Sequence, residues 1–271
     1  MEIKIVKSLK DFLDSIENNR DRNFGNLHWY RAENNLFNRT LLMPNLFREY
    51  VIGPSTTEKF YHKEWSTRNV FKLEAYPFLD NPDYAFNDLT IMFLMQHYGA
   101  ETRLLDWSDN ALIALFFAVE NIQCQGDGLI WVLNPLRLNA STTKIANSVK
   151  NNEYKIFTSL DYDEQLLNYF DIDILSTDSV KAKYPIAIKP HYIDSRMKNQ
   201  SSCFTLFGHD GNGLLNHPDN MEFLQKIVIP KENFRKIKRD LFQLGVSYDT
   251  IYPGLEGISK KIVYAYDEYF I

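Results

Sequence analysis

Only two cysteines, Cys124 and Cys203, occur in 271 residues, and they match no metal-ligand spacing. Buried free thiols in a cytoplasmic protein are the expectation. Histidine is just as uninformative for a metal. His191, His209 and His217 sit in or beside loops without a fitting carboxylate pattern, which argues against a zinc site. The sequence has no glycine-rich phosphate loop, no dinucleotide GxGxxG and no GxSxG elbow, so ordinary ATPase, dehydrogenase and hydrolase signatures are missing. Its longest apolar run, Ala111 to Val119, falls well short of the ~20 residues that span a bilayer. The first residues carry no cationic flank followed by an apolar core, so no signal peptide is expected. There is no excess of positive charge either. The net charge of −5 makes bulk nucleic-acid binding an unexpected property.

What is abundant is aromatic. Nineteen Phe and sixteen Tyr suggest a thick core, or surfaces that stack on a planar ligand. The length suits one domain over 1–271, with a polar stretch at about 139–183 that reads as a peripheral insertion.

Periodicity places a helix over 7–18, with Leu9, Phe12, Leu13 and Ile16 on one face and Ser8 and Asp11 forming a capping box. LHWYRAEN, 27–34, alternates and predicts a strand. Helices are predicted over about 57–76, from Asn87 or Asp88 to Gly99, and from Ser108-Asp109-Asn110 to about Asn121. The last is apolar all round, as a central buried helix is. Asn81-Pro82-Asp83 reads as a turn. Strands are predicted at 102–107, 128–135, 184–190, 202–209 and 222–230, and helices over 231–245 and after Pro253. Helices come first and strands follow without regular βαβ alternation. The predicted fold is α+β, with a mixed or antiparallel split sheet and surrounding helices.

The segment QHYGAETRLLDWSDN sets His97, Tyr98, Thr102, Arg103, Asp106, Trp107, Ser108 and Asn110 directly before the buried helix. A buried charge without a partner is costly, so Arg103 and Asp106 each need a mate. Three apart in extended chain, they do not face one another. Arg31, in the strand with Tyr30, is the candidate partner for Asp106. Either these groups lock a core together, or they line a pocket for an anion.

Tyr30-Arg31-Ala32, His97-Tyr98-Gly99, Thr102 to Trp107 and the apolar helix after Asn110 together resemble the FRG domain family. Arg196, Gln200 and Phe204, then Ile227 to Pro230 and Pro253 to Gly257, extend the resemblance over roughly 25–265. Ala32 stands in the family's Gly position. The family's layout is loosely similar to the ADP-ribosyltransferase class, which implies an ADP-ribosyltransferase-like fold and NAD as substrate. In that reading Arg31 or Arg103 is the cation for a diphosphate, and Tyr30, Tyr98 or Trp107 supplies a ring for nicotinamide. Gln200, Glu222 and Glu256 are alternatives for the group that grips the ribose, with Arg31, Gln200 and Glu222 the catalytic set. The resemblance implies an ADP-ribosyltransferase-like or NAD glycohydrolase-like effector, acting in anti-phage defence or as a toxin. The alternative is a noncatalytic sensor that binds a nucleotide-like molecule or a protein target.

Overall fold

Strands form where apolar side chains alternate or run continuously. In the computed structural model they assemble into one mixed sheet of eight. The structure describes residues 3–17, 27–34, 41–48, 57–79, 81, 87–123, 125–146, 154–158, 164–177 and 179–269. The strands are β1 (Ile3–Ile5), β2 (Trp29–Asn34), β3 (Leu104–Ser108), β4 (Gly128–Leu133), β5 (Phe157–Thr158), β6 (Ile186–Lys189), β7 (Ser202–Leu206) and β8 (Leu224–Ile229). Their order across the sheet is β1-β8-β4-β2-β3-β7-β6-β5. The two outermost pairs, β1 with β8 and β5 with β6, are parallel; all the others are antiparallel. GLIWVL in β4 is buried throughout, as a central strand with both faces covered must be.

The predicted split is real. β2 pairs with β4 along its whole length, Trp29 to Asn34, and β3 pairs with β7 from Leu104 to Ser108. Between β2 and β3, at the middle of the sheet, the register is a single pair, Tyr30 with Ser108. Helix Ala111–Val119 packs over this junction, burying Ile113, Ala114, Leu115, Phe116, Ala118 and Val119. At about 1.5–3 kcal/mol for each large apolar side chain, it anchors β2, β4 and β8 to one core. The same face is covered by helices Leu9–Glu17 and Phe234–Gln243, through Phe12, Phe234, Ile237 and Leu241. Trp29, Leu105, Trp107, Trp131 and Leu133 build a second core on the opposite face. Ser8 caps the first helix as predicted, by accepting from the Asp11 amide, while the Asp11 carboxylate accepts from the Lys7 amide.

Arg103 settles one of the questions that the sequence raised. It is 1% exposed and faces Glu64 of helix Thr57–Ala75. Its Nε donates to Glu64 Oε2 at 2.7 Å, and its own amide donates to Oε1 at 2.9 Å. Nη1 and Nη2 donate to the carbonyls of Phe207 and Tyr169, each at 2.8 Å. The guanidinium thus ties one helix, the start of β3, the end of β7 and the Tyr169 turn into a single knot.

Several expectations change. Pro135 does not merely close β4; with Asn134 as cap it opens helix Pro135–Ile145. Asn110 rather than Ser108 caps the central helix, its side chain accepting from the Leu112 amide, and that helix ends at Val119. The segment 139–183 is not peripheral. Its Phe157, Leu166, Tyr169 and Leu175 form the third core with Phe93, Ile186 and Phe204, because their rings and branches meet the outer face of β6 and β7. β1 and β5 were not anticipated: strands of three and two residues carry too little periodicity. Cys203 is buried and free; Cys124 and most of the Asn81-Pro82-Asp83 turn lie outside the described residues. No helix among the described residues is long and apolar enough to cross a membrane.

The buried pair and the cleft acid should respond differently to mutation. Glu64→Gln strands the Arg103 charge and should cost about 3–5 kcal/mol in urea unfolding. Asp106→Ala, at a half-exposed position, should change stability by less than about 1 kcal/mol. His217 supplies a pH test. Burial pushes its pKa down from 6.5 to about 4. The unfolded chain therefore binds this proton at a higher pH than the folded one. Stability should fall as pH drops from 6.5 towards 4, by of order 3 kcal/mol. His217→Asn should flatten that part of the profile; equal slopes for the two proteins would refute the assignment.

Candidate functional site

Where β2 and β3 part, a cleft of about 430 Å³ opens, within the usual range for small-molecule sites. β2 contributes Tyr30 and Arg31, β3 contributes Asp106 and Ser108, and helix Asp88–His97 contributes Gln96 and His97. Phe117 comes from the central helix, Arg196 and Gln200 from helix Ser195–Asn199 and its end, and Phe204 from β7.

Arg31 and Glu33 are two apart on a strand and so share a face. Arg31 Nε donates to Glu33 Oε1 at 2.9 Å. Glu33 also accepts from the Leu42 amide and from Trp131 Nε1 at 3.0 Å, which makes it a fixed, largely buried anchor. Arg31 Nη1 crosses the split to donate to the backbone carbonyl of Asp106 at 2.8 Å. The bidentate pair expected between Arg31 and Asp106 is absent: the carboxylate is 3.9 Å from Nη1 and 54% exposed, while Arg31 is 15% exposed. The sheet's divergence brings the Asp106 carbonyl, not its side chain, within reach. Arg48 lies nearby, its pKa lowered by burial and then by the charge of Arg31.

Asp106 is held instead by Gln96, whose Nε2 donates to Oδ2 at 2.8 Å. The other end of that amide accepts from the Thr102 hydroxyl at 2.6 Å. His97 Nε2 lies 3.0 Å from Asp194 Oδ2, and the other oxygen of Asp194 accepts from the Met197 amide at 2.8 Å, capping its helix. Ser108 Oγ donates to the Gln200 carbonyl at 2.7 Å and accepts from the Asn110 amide. The next residue, Ser201, has φ +49°, a left-handed conformation that L residues other than Asn and Asp seldom adopt. Arg196 is exposed, with its guanidinium 5.4 Å over the ring of Tyr252, and has no ion-pair partner among the described residues. Tyr252 also meets Phe117 edge to face, so these rings form one wall. That wall needs Gly257: a Cβ there would lie 1.9 Å from the Tyr252 carbonyl.

The sequence-predicted residues therefore divide. Tyr30, Arg31, His97, Asp106, Trp107, Ser108, Arg196 and Gln200 line the cleft. Burial raises the Tyr30 phenol to about 12, so it stays protonated, and the Trp107 indole is turned into the core, donating to Thr205. Neither ring is presented for stacking. Arg103 belongs to the Glu64 knot, Thr102 is buried beneath Gln96, Asn110 caps the helix, and Tyr98 is 74% exposed on the outside. Glu222 borders a separate hollow of about 130 Å³, with Arg137 and Asn134, and Glu256 pairs with Lys260 on the surface. The chain separation of Glu222 from β7 carries it to the far end of β8. Sequence reasoning missed Glu33, Gln96, Asp194 and Tyr252. The first two were adjacent to noticed residues at strand and helix spacing; the other two had no signal.

A family model for the FRG domain matches residues 26–126. The match takes in β2, helix Asp88–His97 and β3, which supply Arg31, Gln96, His97, Asp106 and Ser108, and the central helix as well. The opposite wall, from Asp194 to Phe204, lies beyond it. No curated protein and no solved structure matches the chain.

Gln96→Ala would free Asp106 and leave the buried Thr102 hydroxyl without its acceptor. A loss of about 1–2 kcal/mol in chemical denaturation is expected, more than for Asp106→Ala itself.

Proposed function

We propose that the cleft binds NAD and breaks its nicotinamide–ribose bond, passing the ADP-ribosyl group to water or to an acceptor hydroxyl. The observation that carries this reading is the composition of the split. Two guanidinium groups, Arg31 and Arg196, stand at a cleft whose only lining carboxylate among the described residues is Asp106. The arginines suit a diphosphate, and Phe117 offers apolar ring surface to a planar base. Cleavage passes through an oxocarbenium-like state. The C1′–N bond breaks, its electron pair neutralises the pyridinium nitrogen, and positive charge develops on the ribose. A carboxylate about 4 Å from that charge contributes about 4 kcal/mol at an effective dielectric constant of ~20, or roughly a thousandfold in rate. Asp106, clamped by Gln96, is the residue for this task; Glu222 borders a separate hollow and Glu256 is paired with Lys260. The cellular setting in this reading is that of an effector, in defence against phage or in toxin action.

One observation favours the noncatalytic alternative: Arg31 is already engaged by Glu33 and a carbonyl. One experiment separates the readings. Protein is incubated with NAD, nicotinamide release is followed, and NAD affinity is measured by calorimetry. The enzyme reading expects release, lowered about 100- to 1,000-fold in Asp106→Asn with an unchanged melting temperature, and a higher KM in Arg196→Ala. Tight binding without release selects the sensor reading.

A further inference from the structure

The last turn of helix Asp88–His97 delivers two side chains to the cleft. Gln96 fixes Asp106, and its neighbour His97 faces a carboxylate that no part of the proposed bond cleavage uses. His97 Nε2 is 3.0 Å from Asp194 Oδ2. Asp194 is itself immobilised, because its other oxygen caps helix Ser195–Asn199 through the Met197 amide at 2.8 Å. The ring is further held edge-on by Tyr98, at 4.9 Å between centroids. A nitrogen that donates to a fixed carboxylate sets the tautomer, and the lone pair of the neutral imidazole then lies on Nδ1.

We infer that His97, oriented by Asp194, is the general base of the cleft, removing the proton from the nucleophile that attacks the ribose. The inference rests on the NAD reading above. In the step, an acceptor O–H gives its proton to His97 Nδ1 and its oxygen bonds to C1′. The C1′–N electron pair leaves with nicotinamide, and the proton passes from the imidazolium to solvent. Asp106 and His97 thus divide the labour: one stabilises the developing cation, the other generates the nucleophile. Both depend on the same helical turn.

Asp194→Asn is the discriminating variant. Asn caps a helix as well as Asp does, so the Met197 amide keeps its acceptor. Its amide group, however, presents a donor to Nε2, which moves the imidazole proton to Nδ1 and removes the lone pair from the reacting side. The experiment measures nicotinamide release and NAD affinity for wild type, Asp194→Asn and His97→Ala, with and without millimolar imidazole. Expected are a kcat lowered by about 100-fold or more in His97→Ala and about tenfold or more in Asp194→Asn, with NAD affinity retained. Added imidazole should restore part of the His97→Ala activity and none of the Asp194→Asn activity. A kcat within about threefold of wild type in both variants overturns the base while leaving the NAD reading intact. Wild-type protein that binds NAD but releases no nicotinamide overturns both.

Discussion

The molecule depends on a single backbone pair. Tyr30 and Ser108 join two half-sheets that are otherwise complete, one running through β2, β4 and β8, the other through β3, β7 and β6. Full pairing of β2 with β3 would close the space that becomes the cleft. No pairing would leave two sheet edges with unsatisfied amides and carbonyls in the middle of the protein. The Arg31 side chain substitutes for the missing rungs by taking the Asp106 carbonyl, and Glu33 keeps it there. Helix Ala111–Val119 supports the arrangement by burying its side chains against β2, β4 and β8.

Arg31 and Arg103, both within the matched segment, illustrate how similar residues acquire opposite tasks. Arg103 has its charge met by Glu64 and two carbonyls in a site closed to solvent, so it is a fastening. Arg31 is held by comparable partners but sits at an opening, with part of the guanidinium facing solvent. Sequence spacing treats the two alike. What separates them is which of them the diverging strands leave beside a void.

The strands and helices were legible wherever the pattern was long. The alternation of WYRAEN, the continuous run of GLIWVL and the capped helix ending at Gly99 all appear within a few residues of expectation. Short elements were not legible, and neither was the true place of the 139–183 segment, whose buried aromatics are diluted by exposed polar residues. At the site, one wall could be named because its residues are contiguous in the family motif. The Arg31–Asp106 relation was read as side chain to side chain because a sequence shows no backbone geometry. Asp194 escaped notice because its meaning arises only when residue 97 is folded against it.

The positions of the edge and cleft partners have a consequence for biosynthesis. Ile3 pairs with Lys226, and Asp106 faces a wall drawn from residues 194 to 204. Closing such distant loops raises the entropic cost only logarithmically, but it delays assembly. A ribosome that has released the FRG-matched portion has made one bank of the channel and nothing to set opposite it. Until the strand containing Phe204 emerges, the nascent polypeptide owns the side chains of one wall without the enclosure. A complete cleft is thereby withheld until synthesis is well past its midpoint.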